Sequence, residues 1–106
     1  MPVYLTQAKY APTGVQGLIK EGAVSRRAAV TKLIEQSGGK VTGFWFALGE
    51  TDLYVTAEYT DRAAAIALSL AVNASGAASC TQVELLSAED VDVSIGKLPK
   101  YRAPGA

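Results

Sequence analysis

A chain of 106 residues is one domain's worth of sequence, and its ten acidic and ten basic side chains balance, which argues against a broad electrostatic hold on nucleic acid or an anionic membrane. Its apolar content is ordinary for a globular protein. No apolar run approaches the roughly 20 residues that cross a bilayer, and no basic stretch followed by an apolar one opens the chain as a secretory signal would.

Val3 to Tyr10 alternates loosely and is rich in strand formers, which predicts a first strand, broken by Ala11-Pro12-Thr13-Gly14. Gly14 to Lys20 predicts a short helical turn with Leu18 and Ile19 inward. Ser25 is the expected N-cap of a helix running to about Gln36, with Val30, Leu33 and Ile34 as its buried stripe and Gly38 at the C′ position. Lys40 to Tyr59 reads as a hairpin of two aromatic and β-branched runs. Asp61 then caps a helix over Arg62 to about Asn73, ended by Ser75-Gly76. Thr81 to Leu86 is the fourth strand. Ser87 and Asp90 resemble a capping box with Asp in place of Glu, opening a short last helix to about Lys97. Residues 1–98 thus form a single domain, and the tail 99–106 is expected to be irregular.

This order is the split βαβ arrangement of ferredoxin-like folds, an α+β class with a four-stranded antiparallel sheet and both main helices on one face. The hairpin sharpens it. Phe44, Phe46 and Leu48 point one way, and Val41, Trp45 and Ala47 the other. A four-residue loop, pairing Phe44 with Ala57 and Phe46 with Val55, makes one apolar face for the helices. It leaves Tyr54, Thr56 and Glu58 beside Trp45 on the second face. A five-residue loop would turn Trp45 toward the helices instead, and the first register is preferred. Strand one adds either Gln7 and Lys9 or Thr6 and Tyr10 to the second face, and strand four adds Gln82 and Glu84. An aromatic face with scattered polar groups marks an interface or a ligand cleft. Two copies packed sheet to sheet would bury it about a two-fold axis. The run AAAIALSLAV, apolar nearly all round, asks for more than one neighbour.

The turn Gly49-Glu50-Thr51-Asp52 inside GFWFALGETDLYV, with PVYLTQAKYAPTG before it and ALAVNASGAASCTQVELLSAED after it, resembles the GYD-domain family of small bacterial proteins. The turn of that family reads Gly, any residue, Tyr, Asp. This chain keeps Gly49 and Asp52 but has Thr51 where the tyrosine belongs, so a role for an aromatic ring there is not expected to carry over. The resemblance implies a branch of the dimeric α/β-barrel group, which includes cofactor-free monooxygenases, isomerase-like enzymes and stress-related proteins. It implies fold and dimerisation, not chemistry.

The chain has no histidine, which removes the commonest general base near neutral pH and the commonest transition-metal ligand. Its single cysteine, Cys80, accords with a reducing cytoplasm and is expected to be a small buried side chain near the start of strand four. No metal site and no cofactor are expected. In the turn, Gly49 is expected to supply an unusual backbone angle and Asp52 to accept hydrogen bonds from neighbouring amides. The competing reading makes Asp52 a base or substrate anchor. Trp45 with Tyr54, Thr56, Glu58 and either Gln7 or Tyr10 is the best ligand-binding constellation, since aromatic walls with a few polar groups are what small-molecule sites contain. Ser25-Arg26-Arg27 sets two cations against a helix dipole. A bound anion would offset that, but the solvated reading is preferred.

Three functions are compatible with these residues. One is a cytoplasmic homodimer or higher homo-oligomer whose inter-sheet cleft binds a small apolar or aromatic molecule. The second is a cofactor-free enzyme of monooxygenase or isomerase type using Glu58, Asp52 or a tyrosine. The third is a structural or regulatory assembly module without ligand. Neither nucleic acid nor membrane is an expected partner.

Overall fold

A computed structural model describes residues 1–106. The chain runs β1 (Val3–Tyr10), α1 (Pro12–Glu21), α2 (Ala23–Gln36), β2 (Gly39–Phe46), β3 (Leu53–Tyr59), α3 (Arg62–Ser75), β4 (Ala78–Leu85) and α4 (Ala88–Ile95). The strands form one antiparallel sheet in the order β2-β3-β1-β4, the α+β ferredoxin-like arrangement. α2 and α3 bring Ile34, Ala65 and Leu68 onto the same face of that sheet, where they meet Tyr4, Ala8, Leu53, Val55, Ala57, Tyr59 and Cys80. No helix is long and apolar enough to cross a membrane.

Local chemistry accounts for most boundaries. Asp61 accepts a hydrogen bond from the Ala64 amide at 2.8 Å, alanines fill the first turns of α3, and Gly76 ends it in the left-handed conformation at φ 73°. Ser87 opens α4 by accepting from the Asp90 amide at 3.0 Å. The Asn73 side chain clips the end of α3 to the outer edge of β4: it accepts from the Cys80 amide at 2.8 Å and donates to the Cys80 carbonyl at 3.1 Å. Two polar groups of an edge strand are thereby satisfied without a further strand.

Several expectations need correction. The short turn over Gly14–Lys20 is a full helix, because Pro12 occupies the first helical position where its missing N–H costs nothing. Ile19 is 78 % exposed on it instead of facing inward, and Leu18 is half-buried. Ser25 is not a cap. α2 starts at Ala23, after Gly22 at φ 92° turns the chain out of α1, a conformation no other residue type adopts cheaply. Of its stripe, Ile34 is 1 % exposed and Val30 half-buried, whereas Leu33 is 42 % exposed over a cleft. The hairpin loop is longer than expected, Ala47 to Asp52, so Phe44 pairs with Val55 and Phe46 with Leu53. A shift of two residues keeps every side chain on its face. A bulge between Val41 and Gly43 then moves Val41 to the helix side, where it packs on the core. β4 begins at Ala78, and its register turns Gln82 toward the helices, where its amide donates to the Ala65 carbonyl.

The core holds two tyrosines, Tyr4 and Tyr59, edge to face with ring centroids 5.9 Å apart and both hydroxyls buried without a partner. An unsatisfied buried hydroxyl destabilises, so Tyr59→Phe is expected to stabilise the fold by about 1 kcal/mol in urea denaturation. Burial, with a smaller push from Cys80, raises the Tyr59 phenol above its ordinary pKa of 10.0. The unfolded chain therefore ionises first. Stability contributed by the neutral phenol is complete below about pH 10 and is lost as pH rises through the higher folded value. Tyr59→Phe should lack that alkaline loss.

The last twenty or so residues behave differently. Every side chain from Leu86 to Ala106 is exposed, and α4 buries none of its residues. The radius of gyration is 17.0 Å and the long axis 57 Å, against about 13 Å for the radius of a compact chain of this length. An arm thus projects from the domain with Val91, Val93, Ile95 and Leu98 in the open.

Candidate functional site

The register places the side chains of the uncovered sheet face in three rows. Trp45 stands opposite Tyr54, Tyr54 opposite Gln7, and Gln7 opposite Thr81. The middle row runs Gly43, Thr56, Leu5 and Val83, and the third Lys40, Glu58, Val3 and Leu85. All five expected ligand-binding residues (Trp45, Tyr54, Thr56, Glu58 and Gln7) therefore share one face. Strand one contributes Gln7 and Lys9 to it, and Thr6 and Tyr10 to the helix side.

Two expectations about this face were incomplete. Strand four offers it Thr81, Val83 and Leu85, not Gln82 and Glu84, so it is more apolar than polarity counting predicts. Leu5 and Val3 complete a greasy centre; the alternation Val3-Leu5 against Tyr4-Thr6 is its signal in the sequence, but both halves carry apolar residues. Trp45 is 73 % exposed, Val83 44 %, Leu85 39 % and Tyr54 37 %. A single chain thus supplies one wall and no second. Polar contacts on the face are local: Thr42 and Thr56 hydroxyls lie 2.9 Å apart, and Glu58 sits opposite Lys40.

The turn is built as a clamp on the end of β1. β3 begins at Leu53 opposite Ala8, so the Tyr10 amide has outrun its neighbour strand. The Asp52 carboxylate replaces that strand: Oδ2 accepts from the Tyr10 amide at 3.0 Å and Oδ1 from Lys9 Nζ at 3.2 Å. The Asp52 amide donates to the Ala8 carbonyl at 2.8 Å, and Lys9 reaches the Gly49 carbonyl at 3.0 Å. Asp52 accepts an amide as expected. Gly49 does not have the expected backbone angle; its φ is not positive and a Cβ there would meet nothing within 4 Å. Its contribution is a carbonyl for Lys9. Thr51 borders a hollow of about 130 Å³ on the open face, shared with Gln7, Lys9, Ser79 and Thr81.

The amide of Tyr10, and after it Lys9, hold the Asp52 carboxyl below its ordinary pKa of 3.8. A lowered pKa makes it a poorer base at neutral pH, which weighs against the catalytic reading of this residue. It also signs a pH dependence. The stabilisation by the ionised carboxylate is present above 3.8 and lost as pH falls through the lowered folded value. Asp52→Asn is expected to lower the melting temperature at neutral pH, and the gap to the parent protein should close on acidification; thermal melts across that range check it.

Cys80 is buried as expected, 8 % exposed, with its Sγ 3.6 Å from Ser69 Oγ. Arg27 is solvated, but Arg26 is half-buried and borders a cavity of about 370 Å³ on the helix side of the sheet.

The model of the family described as the GYD domain matches residues 4–95, from β1 through α4. No curated protein and no solved structure matches the chain.

Proposed function

Since this chain belongs to the GYD-domain family, whose matched segment spans the whole sheet and its uncovered face, we propose that it works as a homodimer assembled sheet to sheet, enclosing a small apolar or aromatic molecule beside Trp45. The observation that carries this reading is the open face itself. Leu5, Val83, Leu85, Tyr54 and Trp45 put apolar and aromatic side chains on this face from all four strands, with Thr56 and Gln7 between them. Standard strand spacing and rise give that face roughly 500 Å² of projected area. Two copies would bury roughly 1,000 Å² before side-chain corrugation is counted, which reaches the lower limit for a biological interface.

The arm supports the same reading. An isolated helix shorter than about 12 residues is marginal in water, and α4 has eight with no packing of its own. A second copy gives it something to lie on. The clamp of Asp52 on β1 fits a role in holding one end of the face in shape. A purely structural module differs from this reading only in having a dry interface.

Trp45 is the only tryptophan, so its emission reports on the face directly. At tens of micromolar the indole should emit to the blue and resist quenching by iodide, and dilution should shift it red and expose it. Concentration-independent emission from an exposed indole would count against the dimer. For the ligand, native mass spectra should show a retained small molecule that Trp45→Ala loses.

A further inference from the structure

The helix side of the sheet carries a second site of a different kind. α2 and α3 make little contact with each other, and the cleft between them is roofed at one end by α1. It is a half-open groove of about 370 Å³, within the usual range for ligand sites. Leu18, Leu33, Ala71 and Val72 supply apolar walls, while Arg26 and Glu21 stand among its polar borders. Tyr10, Arg26, Leu33 and Val72 also border a smaller apolar hollow of about 60 Å³ that reaches Ile34 and Leu68 in the core. The two spaces thus share a wall, with a charged border on one side of it and the apolar interior on the other.

Two features mark this cleft as more than loose packing. Arg26 is half-buried, yet the chain's one ion pair joins Lys9 to Asp52; the guanidinium shares the cleft border with Glu21 but forms no ion pair with it. A partly desolvated cation bordering an apolar space is stabilised by an anion brought from outside. The second feature is Gly17. Neighbouring Gly14 is needed, because a Cβ there would stand 2.2 Å from the Ala77 carbonyl oxygen; Gly17 is not, for a Cβ there would meet nothing within 4 Å. Glycine is a poor helix former relative to alanine, and no neighbour requires one here, where Gly17 borders the cleft.

We propose that this cleft binds a small apolar carboxylate, with the carboxylate on Arg26 and the apolar body lying along Leu33 and Val72. The site is on the opposite side of the sheet from Trp45, so it stands or falls independently of the dimer.

The test uses 2-naphthoate and its neutral counterpart 2-naphthamide, titrated into the full-length protein and followed by amide chemical shifts. Naphthoate should move the signals of Leu33, Val72 and Ala78 in a saturable way. Charge-assisted hydrogen bonds contribute about 1.5–3 kcal/mol, so Arg26→Gln should weaken naphthoate about tenfold or more while changing naphthamide less than twofold. Glu21→Gln, which removes a competing carboxylate from the border, should tighten naphthoate. Gly17→Leu should block both probes while leaving the fold at least as stable, which separates loss of the site from loss of the fold. Absence of saturable shifts in the cleft, or equal naphthoate affinity for the parent and Arg26→Gln, would overturn the proposal.

Discussion

Leu5→Glu is expected to convert the protein to a folded monomer. Leu5 lies on β1, an inner strand, between Thr56 and Val83 in the middle row of the open face. In a single chain its side chain points away from the helices, so a carboxylate there meets water and the core is untouched. In a sheet-to-sheet dimer the same carboxylate is buried in the middle of the paired faces. An uncompensated buried charge costs about 3–5 kcal/mol, which is a weakening of self-association by at least about 100-fold. Residues near the centre of an interface carry most of its energy, so Lys40→Ala at the sheet edge should change little. Sedimentation equilibrium of the two variants reads both effects, and a Leu5→Glu protein that still dimerises would remove the sheet face from the interface.

Ile34→Ala should produce the largest loss of fold stability. Ile34 is the only residue of α2 in the fully buried set, 1 % exposed, where it joins Tyr59, Val55 and Ala57. α1 buries nothing fully, so Ile34, with the partly buried Val30 beside it, is the main anchor of this half of the helical layer on the sheet. Removing it costs the lost transfer energy plus a cavity, about 2–5 kcal/mol, out of a total of about 5–15 kcal/mol for a domain. Ile34→Val should cost only about 0.5–1.5 kcal/mol. Because self-association raises apparent stability with concentration, the urea titrations belong in the Leu5→Glu background.

The element order, the caps at Asp61 and Ser87, and the sharing of one face by Trp45, Tyr54, Thr56, Glu58 and Gln7 were legible because each depends on local chemistry or on the period of two. What escaped depends on tertiary contacts. Strand four shows the limit most clearly. Gln82 and Glu84 looked like solvent residues, yet Gln82 turns inward because α3 offers it the Ala65 carbonyl. Polarity alone therefore reversed the parity of a whole strand and hid Val83 and Leu85 from the open face. The hairpin register was off by two residues, since nothing local told that Ala47 and Leu48 would leave β2 for the loop while Asp52 serves β1. Gly49 looked like a conformational residue because glycine in a turn usually is one; its real contact is a carbonyl to a lysine on another strand. The cleft beside Arg26 was invisible for the same reason. It arises where three helices fail to fill the space between them, and no single segment encodes a space.

In the proposed dimer the open face of one chain is covered by the open face of another. Isotope-filtered NMR on a mixture of labelled and unlabelled protein tests it most directly. Intermolecular contacts are expected from the methyl groups of Leu5, Val83 and Leu85 to protons of the same face in the second copy, including the Trp45 indole. Their absence in a sample that tumbles as a monomer at high concentration would contradict it.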